Sequence, residues 1–215
     1  MTPLRTLVVV MGLSLAVTSG ALAAGQTANA LTTENIEAEE ATFGDLTTDA
    51  LCDAAGSTIA LVPAVVFKQG TIPAGQVTQQ DIASLLYDPN ESWAVLSLTG
   101  AQIRQALERS VSFAPTPRTF FLQVSGLTLV YDPDAMRGRR IKSLRAGFTE
   151  IDDAASYEVA MPESLAAGGS GYFTIFDGAR RVRTGTEGAA RLIDRYITAR
   201  GSVSYTGQGR IIVGG

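Results

Sequence analysis

From residue 43 onward the chain alternates between a helical and a strand-like hydrophobic rhythm. In Phe43 to Ala55 the apolar positions Leu46, Ala50, Leu51 and Ala54 fall on one helical face, and Gly56 supplies a stop. Thr58 to Phe67, TIALVPAVVF, is almost continuously apolar and predicts a buried strand interrupted at Pro63. KQGTIPAGQ reads as a loop. Thr78 opens a second helix with Ile82, Leu85 and Leu86 as its stripe. Trp93 to Leu98 predicts a strand, and Thr99 with Gln102 forms the capping box of a third helix carrying Ile103, Ala106, Leu107 and Val111 inward. FFLQVSGLTLVY, Phe120 to Tyr131, predicts extended chain with a bulge or bend at Gly126.

Arg139 to Leu144 and Tyr157 to Met161 predict further strands. LAAGGSGYFTIF, Leu165 to Phe176, reads as a glycine-rich turn launching another. Thr186 is expected to cap a last helix with Ala189, Leu192, Ile193, Tyr196 and Ile197 on one face and Gly201 at its end. GRIIVGG closes as a short strand. Helices interspersed with hairpin-joined strands define an α+β class, with layered sheets packed against helices.

The N-terminus changes the domain picture. Arg5, the apolar run Leu7 to Val17 and the small-x-small triplet Ala21-Leu22-Ala23 make residues 1–23 a secretory signal peptide, cleaved after Ala23 or Ala24. Residues 24–40, polar and rich in glutamate, are expected as a flexible acidic lead-in. Residues 41–215 then form one domain. The expected location is periplasmic or secreted, with no membrane attachment after cleavage. A net charge of -4 invites no nucleic acid. Arg137, Arg139, Arg140, Lys142 and Arg145 read as a solvated sheet face.

Candidate chemistry is narrowed most by one absence: the 215 residues contain no histidine. Every Ser-His-Asp, Cys-His or histidine-rich metal site built within this chain is thereby excluded. Cys52 is alone and reads as a small buried apolar residue. The glycine run fails as a phosphate cradle, because Gly171 is followed by Tyr172, Phe173 and Thr174 and no lysine arrives. It fails as a dinucleotide fingerprint too, because Thr174 takes the third glycine position. Asp132 with Asp134 and Asp152 with Asp153 are turn chemistry, and no calcium-cage spacing is present. No metal and no cofactor is expected.

Longer segments carry a resemblance. FGDLTTDAL, IALVPAVVFKQGTIPAG, LSLTGAQIRQALERSV, FFLQVSGLTLVYDP and SLAAGGSGYFTIF occur in this order. They resemble GNLxxDA, ALxNGGGIRxxIPxG, LTGxQLxxALExSV, GFLQVSGLxxxYDP and FLANGGDGY of the C-terminal domain of the periplasmic and cell-surface 5′-nucleotidase and UDP-sugar hydrolase family. The resemblance implies an α+β domain that binds the base and sugar of a nucleotide. In the family, a metallophosphoesterase domain holding two metals performs the hydrolysis.

The same resemblance implies ligand positions at Phe121, Lys68, Ser164, Ser170, Gly168 and Gly169. It also implies altered chemistry. The family's NGGGIR loop reads Pro63 to Lys68 here, so the asparagine is proline and only a positive charge remains, without arginine's planar fork. Ser164 replaces one of two stacking phenylalanines, Phe121 matching the other, and a one-sided stack forfeits much of the roughly 1–3 kcal/mol per base–aromatic contact. Ser170 replaces a sugar-binding aspartate, Thr42 falls where a family arginine lies, and Gly44-Asp45 stands for Gly-Asn. The expectation is a stand-alone, non-catalytic ligand-binding or scaffold protein with an altered nucleotide pocket. The alternative is the substrate-binding part of a nucleotide hydrolase completed by a separate metallophosphoesterase chain. A nucleotide-like small molecule is the corresponding partner expectation.

Overall fold

The computed structural model describes residues 23–214, so the expected signal peptide falls almost wholly outside the described residues. In chain order the elements are β1 (Ala23–Thr27), β2 (Leu31–Thr32), α1 (Thr42–Ala55), β3 (Ile59–Pro63), β4 (Thr71–Ile72), β5 (Gly75–Thr78), α2 (Gln79–Ser84), β6 (Trp93–Thr99) and α3 (Gly100–Ser110). There follow β7 (Leu122–Ser125), β8 (Leu127–Tyr131), β9 (Ile141–Ala146), β10 (Thr149–Glu150), β11 (Ser156–Pro162), α4 (Glu163–Ala166) and α5 (Phe173–Phe176). The last are β12 (Arg180–Gly185), α6 (Ala189–Arg200), β13 (Ser202–Val203) and β14 (Ile211–Val213). Antiparallel hairpins stand beside parallel pairs among interspersed helices, which is the α+β class.

A five-stranded sheet, order β12-β6-β11-β3-β7, forms the centre. β3 is buried at every position, as a strand covered on both faces must be, which explains its continuous apolar sequence. α1 packs on β3 and β7 and is itself covered by α6. A second sheet, β10-β9-β8-β14, and a third, β13-β1-β5, flank it. α3 bridges the first two sheets by touching both β6 and β9. Gly126 is the corner between β7 and β8, where the chain leaves one sheet for the other. Its φ is +74°, and a Cβ there would lie 1.8 Å from the Thr58 carbonyl oxygen, so only glycine fits.

Local signals behave as the physics requires. The expected capping box forms, Gln102 N donating to Thr99 Oγ1 at 3.2 Å, and a second stands at Thr78, where Asp81 N donates to Thr78 Oγ1 at 3.2 Å. Four sequence expectations are corrected. Residues 24–40 hold β1 and β2, and Leu31 and Ile36 are fully buried, so this stretch is core rather than flexible lead-in. The buried strand ends at Pro63, and Ala64–Val66 turn in a 3-10 helix. YFTIF is helical, because Ile175 N and Phe176 N donate back to the Tyr172 carbonyl. The last helix starts after Gly188, whose cap position lacks a side-chain bond, instead of at Thr186.

β12 escapes sequence reading because RRVRTG is an exposed edge strand with no apolar alternation. Its arginines meet acids instead: Arg181 pairs with Glu163 and Arg183 with Glu158. The basic cluster is also partly structural. The Arg140 guanidinium donates to the carbonyls of Val111 and Ala114 at 2.7 and 2.9 Å, tying the turn before β9 to the end of α3. Among the described residues, no helix is long and apolar enough to cross a membrane.

Candidate functional site

Topology gathers the ligand candidates at one end of the central sheet. β3 and β11 run parallel and finish together, at Pro63 and Pro162. Leu122 at the start of β7 pairs with Pro63, and Trp93 at the start of β6 pairs with Pro162. The 64–68 turn, the 118–121 segment, the 163–172 loop and the 87–92 turn therefore all emerge at this end. Lys68, Phe121, Ser164, Gly168, Gly169 and Ser170 all lie on them.

Hydrogen bonds weld three of these segments. Ala64 N donates to the Phe121 carbonyl at 2.7 Å and Val65 N to the Thr119 carbonyl at 2.8 Å. The Tyr172 hydroxyl donates to the Phe120 carbonyl at 2.7 Å, fixing the glycine loop to the same segment. Tyr172 is fully buried and stacks on Phe176 with 5.6 Å between ring centroids. Burial holds its phenol far above the usual range, against the pull of the Arg109 charge, so it stays a donor.

The two phenylalanines part company. Phe121 is 1 % exposed and belongs to the core. Phe120 is half-buried at the surface side, edge-on to Phe113. Its face is covered by the Arg109 guanidinium, 4.6 Å from the ring centroid. The same guanidinium lies 5.2 Å from the Tyr172 ring and donates to the Ser170 carbonyl at 2.7 Å. Arg109 thus sits between two aromatic faces and the glycine loop, as cation–π attraction favours. Nothing in LERSV announces this role, because the rings and carbonyl that Arg109 meets come from distant segments.

The glycine loop is compact for steric reasons. Gly168 has φ +87°, and a Cβ there would meet the Phe173 backbone at 2.6 Å. At Gly169 a Cβ would lie 2.6 Å from the Ser164 carbonyl oxygen. Ser170 adopts φ +55°, a left-handed conformation uncommon outside glycine, asparagine and aspartate. Ser164 itself is exposed, its N–H donating to Glu91 Oε1 at 3.1 Å. Gln102 Nε2, from the capping box of α3, donates to the Ile175 carbonyl and holds α5 in place.

On the other side, Lys68 reaches toward Tyr87, its Nζ 5.8 Å from the ring centroid. Phe67 is buried edge-on against Phe43, whereas Val65 is 43 % and Tyr87 68 % exposed. A hollow of about 400 Å³ lies here, lined by Glu37, Val65, Phe67, Gln69, Tyr87 and Thr119. Thr42, standing where the family motif has its arginine nearby, is occupied structurally: its hydroxyl donates to the Ala30 carbonyl and accepts from Thr32 N. Among the described residues, no group of three or more histidine, cysteine, aspartate or glutamate side chains is placed to hold a metal ion.

A layered α+β domain with its candidate ligand loops collected at one sheet end is the class these observations define. Residues 19–178 match the family model described as 5′-nucleotidase, C-terminal domain, and the chain belongs to that family. It is 29 % identical over 146 residues to snake venom 5′-nucleotidase of Naja atra, covering 64 % of this chain and 27 % of that protein. An apyrase of Aedes albopictus is 29 % identical over 167 residues, 71 % of this chain and 29 % of its own. Among solved structures, the 5′-nucleotidase precursor from Thermus thermophilus superposes with a TM-score of 0.80 at 28 % identity, covering 89 % of this chain and 39 % of that one. The NAD nucleotidase of Haemophilus influenzae shares the fold, with a TM-score of 0.74 at 16 % identity over 91 % of this chain and 39 % of its own. The chain thus spans well under half the length of these relatives.

Proposed function

We propose that this chain is an exported, non-catalytic member of the family whose sheet end serves as a scaffold or takes a ligand other than an ordinary nucleotide. The observation that carries the reading is Arg109. Its guanidinium covers Phe120 at 4.6 Å and is hydrogen-bonded to the Ser170 carbonyl. The ring of Phe121 is buried in the core and position 164 carries serine, so the two positions that the resemblance marks for stacking offer no pair of rings to a base. The absence of histidine supports a non-catalytic role for this chain by itself. Export rests on the Arg5, Leu7 to Val17 and Ala21-Leu22-Ala23 pattern. The open surface near the site, Val65 and Tyr87 beside the hollow of about 400 Å³, is where a different ligand or a protein partner would bind. Calorimetric titration with AMP, adenosine and UDP-glucose is expected to give heats of dilution only, and micromolar binding of any of them would overturn the reading.

A second reading rests on family membership alone. In it the domain supplies one part of a nucleotide hydrolase whose metallophosphoesterase is a separate polypeptide. Co-purification with such a chain, followed by phosphate release from AMP with added divalent metal, tests this. A silent assay with a confirmed partner ends it.

A further inference from the structure

Beside the first turns of α1, three carboxylates surround one guanidinium. Asp49 is fully engaged: its Oδ2 accepts from Arg210 Nη2 and from the Tyr205 hydroxyl, each at 2.9 Å, and its Oδ1 from Ser125 Oγ at 2.6 Å. Glu40 is engaged as well, accepting the backbone N–H groups of Gln208, Arg210 and Ile211. The rest of Arg210 is spent on the Val124 carbonyl at 3.0 Å and the Thr48 hydroxyl at 3.3 Å. Asp45 is left over. It is fully buried, neither of its oxygens has a hydrogen-bond partner, and Arg210 Nε stands 3.5 Å from Oδ1.

Donor accounting decides which acid carries a proton. An ionised carboxylate accepts only, so two such groups facing each other repel. Glu40 and Asp49 each have three donors aimed at them. Asp45 has no hydrogen-bond donor on either oxygen, only the Arg210 charge at 3.5 Å, and the Glu40 carboxylate acts on it from the segment before α1. The groups around it are Glu40 from the segment before α1, Asp49 from the next turn of α1, and Arg210 from the segment before β14. Tyr205, after β13, joins through Asp49. β7, packed against α1, contributes Gln123, Val124 and Ser125, none of them titratable.

We propose that Asp45 holds a proton at neutral pH and donates it to Glu40, so that a buried acid–carboxylate pair fastens the 208–211 segment and β14 onto α1 as a pH-sensitive clamp. The position is the one at which the family motif has asparagine, and a protonated aspartate has asparagine's shape and, like it, can donate. Burial pushes the Asp45 carboxyl up to about 8, Arg210 opposing and Glu40 reinforcing. Because this value lies above that of an unfolded aspartate, about 4, the stability gained is fully present below pH 4 and is lost as pH rises through about 8.

The experiment is urea unfolding of the full chain and of Asp45→Asn between pH 5 and 9. Groups other than Asp45 titrate in both proteins and cancel in the ratio of their unfolding constants. The ratio of wild type to variant is expected to rise about tenfold per pH unit from 5 to 7.5 and to level off above about 8. A ratio flat from pH 5 to 8 overturns the proposal. Should Asp45→Asn fail to fold, the carboxyl carbon resonance of Asp45 in the wild type decides. A transition near pH 8 supports the clamp, and one near pH 4 overturns it.

Discussion

Gln123 gives the sharpest test of how the first described residues are held. It is the glutamine of FLQVSG and is fully buried. Its Oε1 accepts from Ala41 N at 3.0 Å, and its Nε2 donates to the carbonyls of Ile36 and Glu39 at 3.1 and 2.7 Å. Gln123→Leu keeps the volume and removes all three bonds. One buried donor and two carbonyls then lose their partner, and such a group costs about 1–3 kcal/mol when left unmade. Carbonyls retain a second lone pair and Glu39 lies partly open, so the low end applies and the sum is about 3 kcal/mol. With a urea dependence of about 2–3 kcal/mol/M, the midpoint should fall by about 1–1.5 M. Trp93, the only tryptophan, serves as fluorescence reporter. A loss below about 1 kcal/mol would refute the reasoning, since it would mean that the three groups do not depend on the side chain.

Two further outcomes are expected. Gly126→Ala places a Cβ 1.8 Å from the Thr58 carbonyl at φ +74°, so the β7–β8 corner must shift. A cost of at least about 3 kcal/mol should lower Tm by about 10 °C in scanning calorimetry, and an unchanged Tm contradicts the steric account. Cys52 is held up to about 11, chiefly by burial, so at pH 8 only about a thousandth is thiolate. Its alkylation by iodoacetamide should run at least about 100-fold slower than that of free cysteine, and a comparable rate would show the thiol to be open.

What sequence reading recovers is what neighbouring residues decide. Thr78 and Thr99 announce their helices because a cap and its partner sit three residues apart. β3 is legible because burial on both faces leaves an apolar run. YFTIF misleads for the same reason: a short apolar aromatic run suits either a strand or a buried helical turn, and the bonds back to Tyr172 choose. Glu40 looks like a member of a solvated acidic run until the distant Gln208, Arg210 and Ile211 deliver their N–H groups.

The candidate site divides along the same line. Its loops follow from motif order, yet which of two adjacent phenylalanines faces the surface depends on how Ala64 and Tyr172 bond to their carbonyls. Arg109, which covers the half-buried Phe120 ring, has no local signal at all.

β1 carries a consequence for the order of folding. It lies in the middle of its sheet, between β5 and β13, with Gln26 opposite both Gln76 and Ser202. As the chain emerges from the ribosome, this strand has its first neighbour after some fifty residues and its second only when about 175 have followed. Closing so long a loop is entropically slow, and contacts this distant in sequence are made late. The beginning of the domain is therefore among the last parts to be completed, and a chain stopped short of Val203 would leave β1 with one edge unpaired.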